Sequence, residues 1–273
     1  MRTDIIAIVV AIVIGIVSII VTILVTMFED ELVNFKKRIL GRSKNIDDVE
    51  PTPHPEYITI RGKRCSTSLR ELGLSDRKLL VGDIVPLRYM TNLTELGLSY
   101  NQISDLKPLS NLTNLTLLDL DSNQISDLKP LSNLTNLTVL GLWRNQISDL
   151  KPLSDLTNLI VLNLGRNQIS DLKPLSNLTN LTTLYLWDNQ ISDLTALSNF
   201  TNLTALYLYG NQISDLTALS NLTNLTELGL SYNQISDLTP LSKLTNLSYL
   251  SLSGNQISNW TPVSHVSNVE GRP

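Results

Sequence analysis

Residue types that do covalent or metal chemistry are scarce and scattered in this chain. Its two histidines, His54 and His265, stand far apart, and Cys65 is the single cysteine. No set therefore has the spacing of a metal centre or of an activated nucleophile. Neither a nucleophile elbow nor a phosphate-binding loop is present. One acidic set does fall in register: Asp105, Asp127, Asp149, Asp171, Asp193, Asp215 and Asp237 recur every 22 residues. Stacked carboxylates invite a calcium reading, but capping of a short helical turn accounts for them with no further assumption. No catalytic residue, metal or cofactor is expected. A net charge of −4 offers no basic footprint for nucleic acid, and Cys65 reads as a small buried residue.

The chemistry the chain does offer is recognition. Trp143, Arg144, Asn163, Arg166, Tyr185, Trp187, Asp188, Tyr207 and Tyr209 gather within a few turns of one repeating pattern. Elsewhere the equivalent positions carry small residues such as Gly97, Ser99, Gly229, Ser231, Ser251 and Ser253. Outward Trp, Tyr and Arg are the residues enriched at binding hot spots. Asp119 and Asp121 lie beside the group. Trp143 and Trp187 hold the same place two repeats apart with Gly165 between them, which predicts a gap of ~10 Å flanked by two indoles.

The elements that must position these residues follow from the repeat. Asn-Gln-Ile-Ser occurs with its Asn at 101, 123, 145, 167, 189, 211, 233 and 255, always 22 residues apart. Around each runs Leu-x-x-Leu-x-Leu-x-x-Asn, the spacing of a leucine-rich repeat. Leu96 and Leu98 alternate with Glu95, Gly97 and Ser99, as a strand with one buried face requires. Asn101 then ends the strand, where a buried amide can satisfy backbone groups that no ladder reaches. Ser104 and Asp105 precede a helical turn that Pro108 allows to begin. A single coil cannot bury enough to fold alone, so stacking is obligatory.

These expectations give an α/β repeat solenoid. A horseshoe of nine coils has a parallel sheet, roughly 40 Å long, on its concave side and short 3-10 turns on its convex side. Regular repeats fill 93–260. Residues 57–92 read as an N-terminal cap with an irregular first coil, its strand at Leu69, Leu72 and Leu74. In 261–273, with valines in place of leucines, a partial C-terminal cap or a truncation is expected. The convex Lys107, Lys129, Lys151 and Lys173 read as a solvated face beside the aspartates.

Residues Ile5 to Met27 carry no charge. Twenty-three helical residues span ~35 Å, enough to cross a hydrocarbon core of ~30 Å. Residues 1–28 are thus expected to hold one uncleaved transmembrane helix. Residues 29–56 follow as a juxtamembrane helix and a linker containing Pro51, Pro53 and Pro55. Counting Lys and Arg alone, with Lys36, Lys37, Arg38 and Arg42 against Arg2, puts the repeats in the cytoplasm.

The run Asn-Gln-Ile-Ser-Asp-Leu-x-Pro-Leu-Ser-Asn-Leu-Thr-Asn-Leu-Thr resembles the 22-residue repeat of bacterial internalins and internalin-like proteins. The stretch from Ile58 to Leu93 resembles the leader that precedes such repeats. The resemblance implies a curved solenoid that binds a protein through its concave sheet, and it implies export. Residues 261–273 hold neither an immunoglobulin-like domain nor a wall-sorting motif. We expect a single-pass membrane protein with extracytoplasmic repeats, binding a protein partner of unknown identity through the aromatic face. The alternatives are a cytoplasm-facing scaffold or regulator and a cell-wall or glycan binder, since two indoles could stack on sugar rings.

Overall fold

Ten short strands stack in one parallel sheet, in strict chain order and without a crossover. They are β3 (Glu71–Gly73), β4 (Glu95–Gly97), β5 (Leu117–Asp119), β6 (Val139–Gly141), β7 (Val161–Asn163), β8 (Thr183–Tyr185), β9 (Ala205–Tyr207), β10 (Glu227–Gly229), β11 (Tyr249–Ser251) and β12 (Asn268–Glu270). The computed structural model describes residues 55–272. The apolar run Ile5–Met27 and nearly all of 29–56 lie outside the described residues. Among the described residues no helix is long and apolar enough to cross a membrane.

Each strand pairs with the next at equivalent positions, as in Leu140↔Leu162 and Leu162↔Leu184. A fixed period without insertions dictates this register, because a slip of one residue would expose every leucine. The leucines and isoleucines at the repeat's inward positions form one continuous core, mostly with no exposed surface. Phe200 stands where other coils have Leu178 or Leu222, and it is fully buried. On the side away from the sheet each coil makes a 3-10 turn, such as Lys151–Leu153. A proline in the first turn fits five of the regular ones, and Ala196 and Ala218 replace it in two.

Asparagines tie the coils together. Asn145 Nδ2 donates to the Leu142 carbonyl of its own coil at 3.1 Å and to the Leu120 carbonyl of the preceding coil at 3.1 Å. Its Oδ1 accepts the Ile125 amide at 3.0 Å. The same bonds recur in successive coils. One buried side chain thus satisfies three backbone groups that neither helix nor sheet reaches. A second ladder, not expected from the sequence, runs along the opposite flank. There Asn136 Nδ2 donates to the Thr113 carbonyl at 2.9 Å, and Thr138 Oγ1 donates to the Thr116 carbonyl at 3.1 Å. The in-register aspartates act as expected: Asp149 Oδ1 accepts the Lys151 amide at 2.9 Å, at the mouth of the 3-10 turn.

The ends depart from the sequence reading. Strand β1 (Tyr57–Ile60) folds back on β2 (Lys63–Ser66) as an antiparallel hairpin, inside the cap expected at 57–92. Arg61 and Gly62 both take positive φ, the geometry of a two-residue hairpin turn. Ile58, Ile60 and Cys65 are buried beneath it. Arg61 fastens the hairpin to the first coil through Asp83 at 3.1 Å and the Lys78 carbonyl at 2.8 Å. Leu69 lies outside β3 and is exposed. At the far end β12 adds a tenth strand where nine coils were counted. Val269 stands opposite Leu250 and packs against the core between polar neighbours.

Candidate functional site

The outward positions of the sheet form two parallel rows and a flanking turn. Strand register puts Asp119, Gly141, Asn163, Tyr185, Tyr207 and Gly229 side by side. Two residues on, Asp121, Trp143, Gly165, Trp187 and Tyr209 occupy the next row. The residue after that lies in the left-handed region in each coil from β3 to β11, as at Asp76, Tyr100, Ser122, Arg144, Arg166, Asp188 and Tyr232. Glycine fits this conformation without strain, and Gly210 and Gly254 take it. Seven non-glycine residues hold it, each at a cost of roughly 1–2 kcal/mol.

Aromatic rings in these rows touch one another. Tyr185 and Tyr207 stack with centroids 5.0 Å apart and planes 3° from parallel. Trp187 stacks on Tyr209 at 5.0 Å and meets Trp143 at 5.9 Å. Tyr100 extends the second row, meeting the Trp143 ring edge-on at 6.2 Å. Such contacts are worth about 0.5–1.5 kcal/mol each beyond the area they bury. The predicted gap between Trp143 and Trp187 does not exist. Gly165 has no side chain to keep the indole upright, so Trp187 lies across it. A Cβ added to Gly165 would stand 2.6 Å from Trp187 Cε2. The glycine is the floor under the indole rather than an opening beside it.

The polar members of the set are distributed around these rings. Arg166 Nε donates to Asp188 Oδ2 at 3.2 Å, and its guanidinium lies 5.7 Å from the Trp187 ring centroid. Asn163 turns inward on its own strand, its Oδ1 accepting the Gly165 amide at 3.2 Å. Arg144 is exposed. Tyr207 donates its hydroxyl to Glu227. Burial, with that carboxylate, pushes the phenol well above its ordinary range. Burial also raises Tyr209, with Asp188 adding to it. The Trp143 indole nitrogen is buried with no hydrogen-bond partner.

Asp119 and Asp121 sit over Gly141, whose added Cβ would lie 2.9 Å from Asp121 Oδ1. Asp121 Oδ1 accepts the Trp143 amide at 2.7 Å, and Asp119 Oδ1 accepts the Asp121 amide at 3.1 Å. Burial pushes the Asp121 carboxyl up to about 6, against the pull of the Trp143 amide and with a further push from Asp119. Sequence reasoning left Tyr100 out of the group, though it shares the turn position of Arg144. It put Asp121 only nearby, because half-burial of a carboxylate has no signature in a repeat. The structure brings Trp143, Trp187 and Tyr209 together with Tyr100, and Tyr185 with Tyr207. Arg144 and Asn163 take no part in the stacks.

Comparison with known proteins agrees with this architecture. The family model for leucine-rich repeats in two copies matches residues 91–133, 135–177, 179–221 and 223–265. Internalin C2 of Listeria monocytogenes is 35% identical over 76% of this chain and 83% of that chain, with a TM-score of 0.54. The functional domain of InlJ from the same organism is 26% identical over 76% of this chain and 50% of that one, at a TM-score of 0.63. A plant peptide hormone receptor, RGFR1 in complex with RGF2, is 33% identical over 63% of this chain and 30% of that chain, at 0.57. No curated protein sequence matches. With repeat models covering more than half its length and an internalin 35% identical over 76% of it, the chain belongs to the leucine-rich repeat family and is internalin-like.

Proposed function

We propose that this chain is a membrane-tethered leucine-rich repeat module that binds a protein partner through the aromatic face of its sheet. The observation that carries the reading is the unbroken row Tyr100, Trp143, Trp187 and Tyr209, beside the stacked pair Tyr185 and Tyr207. Rings that already support one another lose little side-chain freedom on binding, which is the property of a preorganised hot spot. Leucine-rich repeat proteins in general mediate protein–protein binding, and the similar plant receptor is held in complex with a peptide hormone. The uncharged run Ile5–Met27 supports the tether, and the internalin likeness supports repeats outside the membrane.

Two other readings are outcomes of the test. A cytoplasm-facing scaffold is favoured by Lys36, Lys37, Arg38 and Arg42. A glycan binder would use the indoles, although contact between Trp143 and Trp187 leaves no slot for a sugar between them. The experiment probes arrays of bacterial polysaccharides and of extracytoplasmic proteins with the purified full chain, beside protease treatment of intact cells. Protein capture together with surface digestion supports the proposal. Capture of polysaccharide alone, or repeats protected from protease, overturns it.

A further inference from the structure

The outward side of the sheet is acidic in a patterned way. Among the residues of β3 to β12, Glu71, Glu95, Asp119, Glu227 and Glu270 are carboxylates, and none is Lys or Arg. The two at the C-terminal end are engaged: Glu227 accepts from Tyr207, and Glu270 accepts the Tyr249 hydroxyl at 3.0 Å. Those before Trp143 have no side-chain partner among the described residues, and Asp119 accepts only the Asp121 amide. Among the described residues, Asp119 and Asp121 have no ion-pair partner, and Arg144 in the following turn reaches neither. Arg166 is taken by Asp188.

Asp119 and Asp121 project side by side over Gly141, and Asp121 accepts the Trp143 amide through its carboxylate and the Tyr100 amide through its backbone carbonyl. Both are partly buried, and partial desolvation without a countercharge is a standing cost. Two carboxylates against the edge of an aromatic row make a receptacle for a cation. A guanidinium can bond both acids and lie against a ring at once, and an ammonium can do so less completely.

We infer that the segment docking on this face is a protein segment bearing Arg or Lys, whose cationic head is received by Asp119 and Asp121 while its apolar portion covers Trp143 and Trp187. The inference rests on the protein-binding reading above and names the chemistry of its partner. Burial that holds the Asp121 carboxyl up to about 6 agrees with an acid awaiting a countercharge.

The test selects a displayed library of random dodecapeptides against the purified full chain at pH 7.5. Selected binders are then measured on three variants: Asp119→Asn with Asp121→Asn, Trp187→Ala, and Lys129→Ala as a control away from the sheet. Asparagine keeps the acceptors that hold the Trp143 and Asp121 amides, so the double variant is expected to fold; circular dichroism checks this. The expected result is peptides containing Arg or Lys that bind at least ten-fold more weakly to the double variant and equally to Lys129→Ala. Peptides that lose affinity with Trp187→Ala but not with the double variant overturn this inference and leave the protein-binding reading intact. Absence of any peptide sensitive to Trp187→Ala overturns both.

Discussion

Trp187 lies across Gly165, close enough that a methyl group on the glycine would meet the indole at 2.6 Å. The glycine is therefore part of the aromatic row although it has no side chain. Gly165→Ala is expected to lift the indole off the sheet and separate it from Trp143. Gly165 does not have a positive φ, so alanine adds no backbone strain, and the cost in stability is about 1–2 kcal/mol from crowding. Near-ultraviolet circular dichroism should lose the coupled indole signal while the far-ultraviolet spectrum is kept.

The Asn ladder is expected to be the least tolerant feature of the solenoid. Asn145→Ala leaves the Ile125 amide without a partner and removes one of two side-chain bonds at each of the Leu120 and Leu142 carbonyls, which Asn123 and Asn167 still meet. The orphaned amide costs about 1–3 kcal/mol, and each lost carbonyl bond about 0.5–1.5 kcal/mol. A loss of roughly 3–5 kcal/mol in urea unfolding is expected, and a loss below 1 kcal/mol would mean that water replaces the amide.

Asp121 makes stability depend on pH with an unusual sign. Its folded pKa of about 6 stands above the ordinary carboxyl value of 3.8, so the folded state binds this proton more tightly than the unfolded state. The group's contribution is fully present below 3.8 and is lost as pH rises through 6. After discounting for solvent screening, Asp121→Asn should gain about 1–2 kcal/mol at pH 7.5. The gain should shrink at pH 4.5. Denaturant titrations at both pH values measure it, and an equal effect at both would place the cause outside this carboxyl.

The repeat made the sheet register, the Asn ladder and the aspartate caps legible, because 22-residue spacing without insertions leaves one way to stack buried leucines. Leu140, Leu162 and Leu184 align as that spacing requires. The hairpin strand Lys63–Ser66 was not legible, since its exposed Lys63 and Arg64 mask the single buried Cys65. Nor was β12, where Val269 alone carries the core position. At the candidate site the sequence placed the rings on one face but not their contacts. Side-chain lean depends on the volume of the neighbouring coil's residue, and Gly165 was read as space when it is support.

Leu186 and Trp187 are adjacent in sequence and opposite in role. Leu186 is fully buried, so Leu186→Ala should cost about 2–5 kcal/mol through a core cavity. Trp187 is only partly buried, against Tyr209 and Trp143. Trp187→Ala should cost no more than about 2 kcal/mol of stability. Thermal melts of the two variants side by side check the ordering.

The most direct measurement of the central claim is the affinity of Trp187→Ala, by calorimetry, for a protein captured by the wild-type chain. Loss of a central hot-spot ring is expected to cost about 2–4 kcal/mol, a weakening of roughly 30- to 1,000-fold, in a variant that still melts cooperatively. Unchanged affinity in a folded Trp187→Ala would contradict the account, and the aromatic row would then be a structural feature of the sheet.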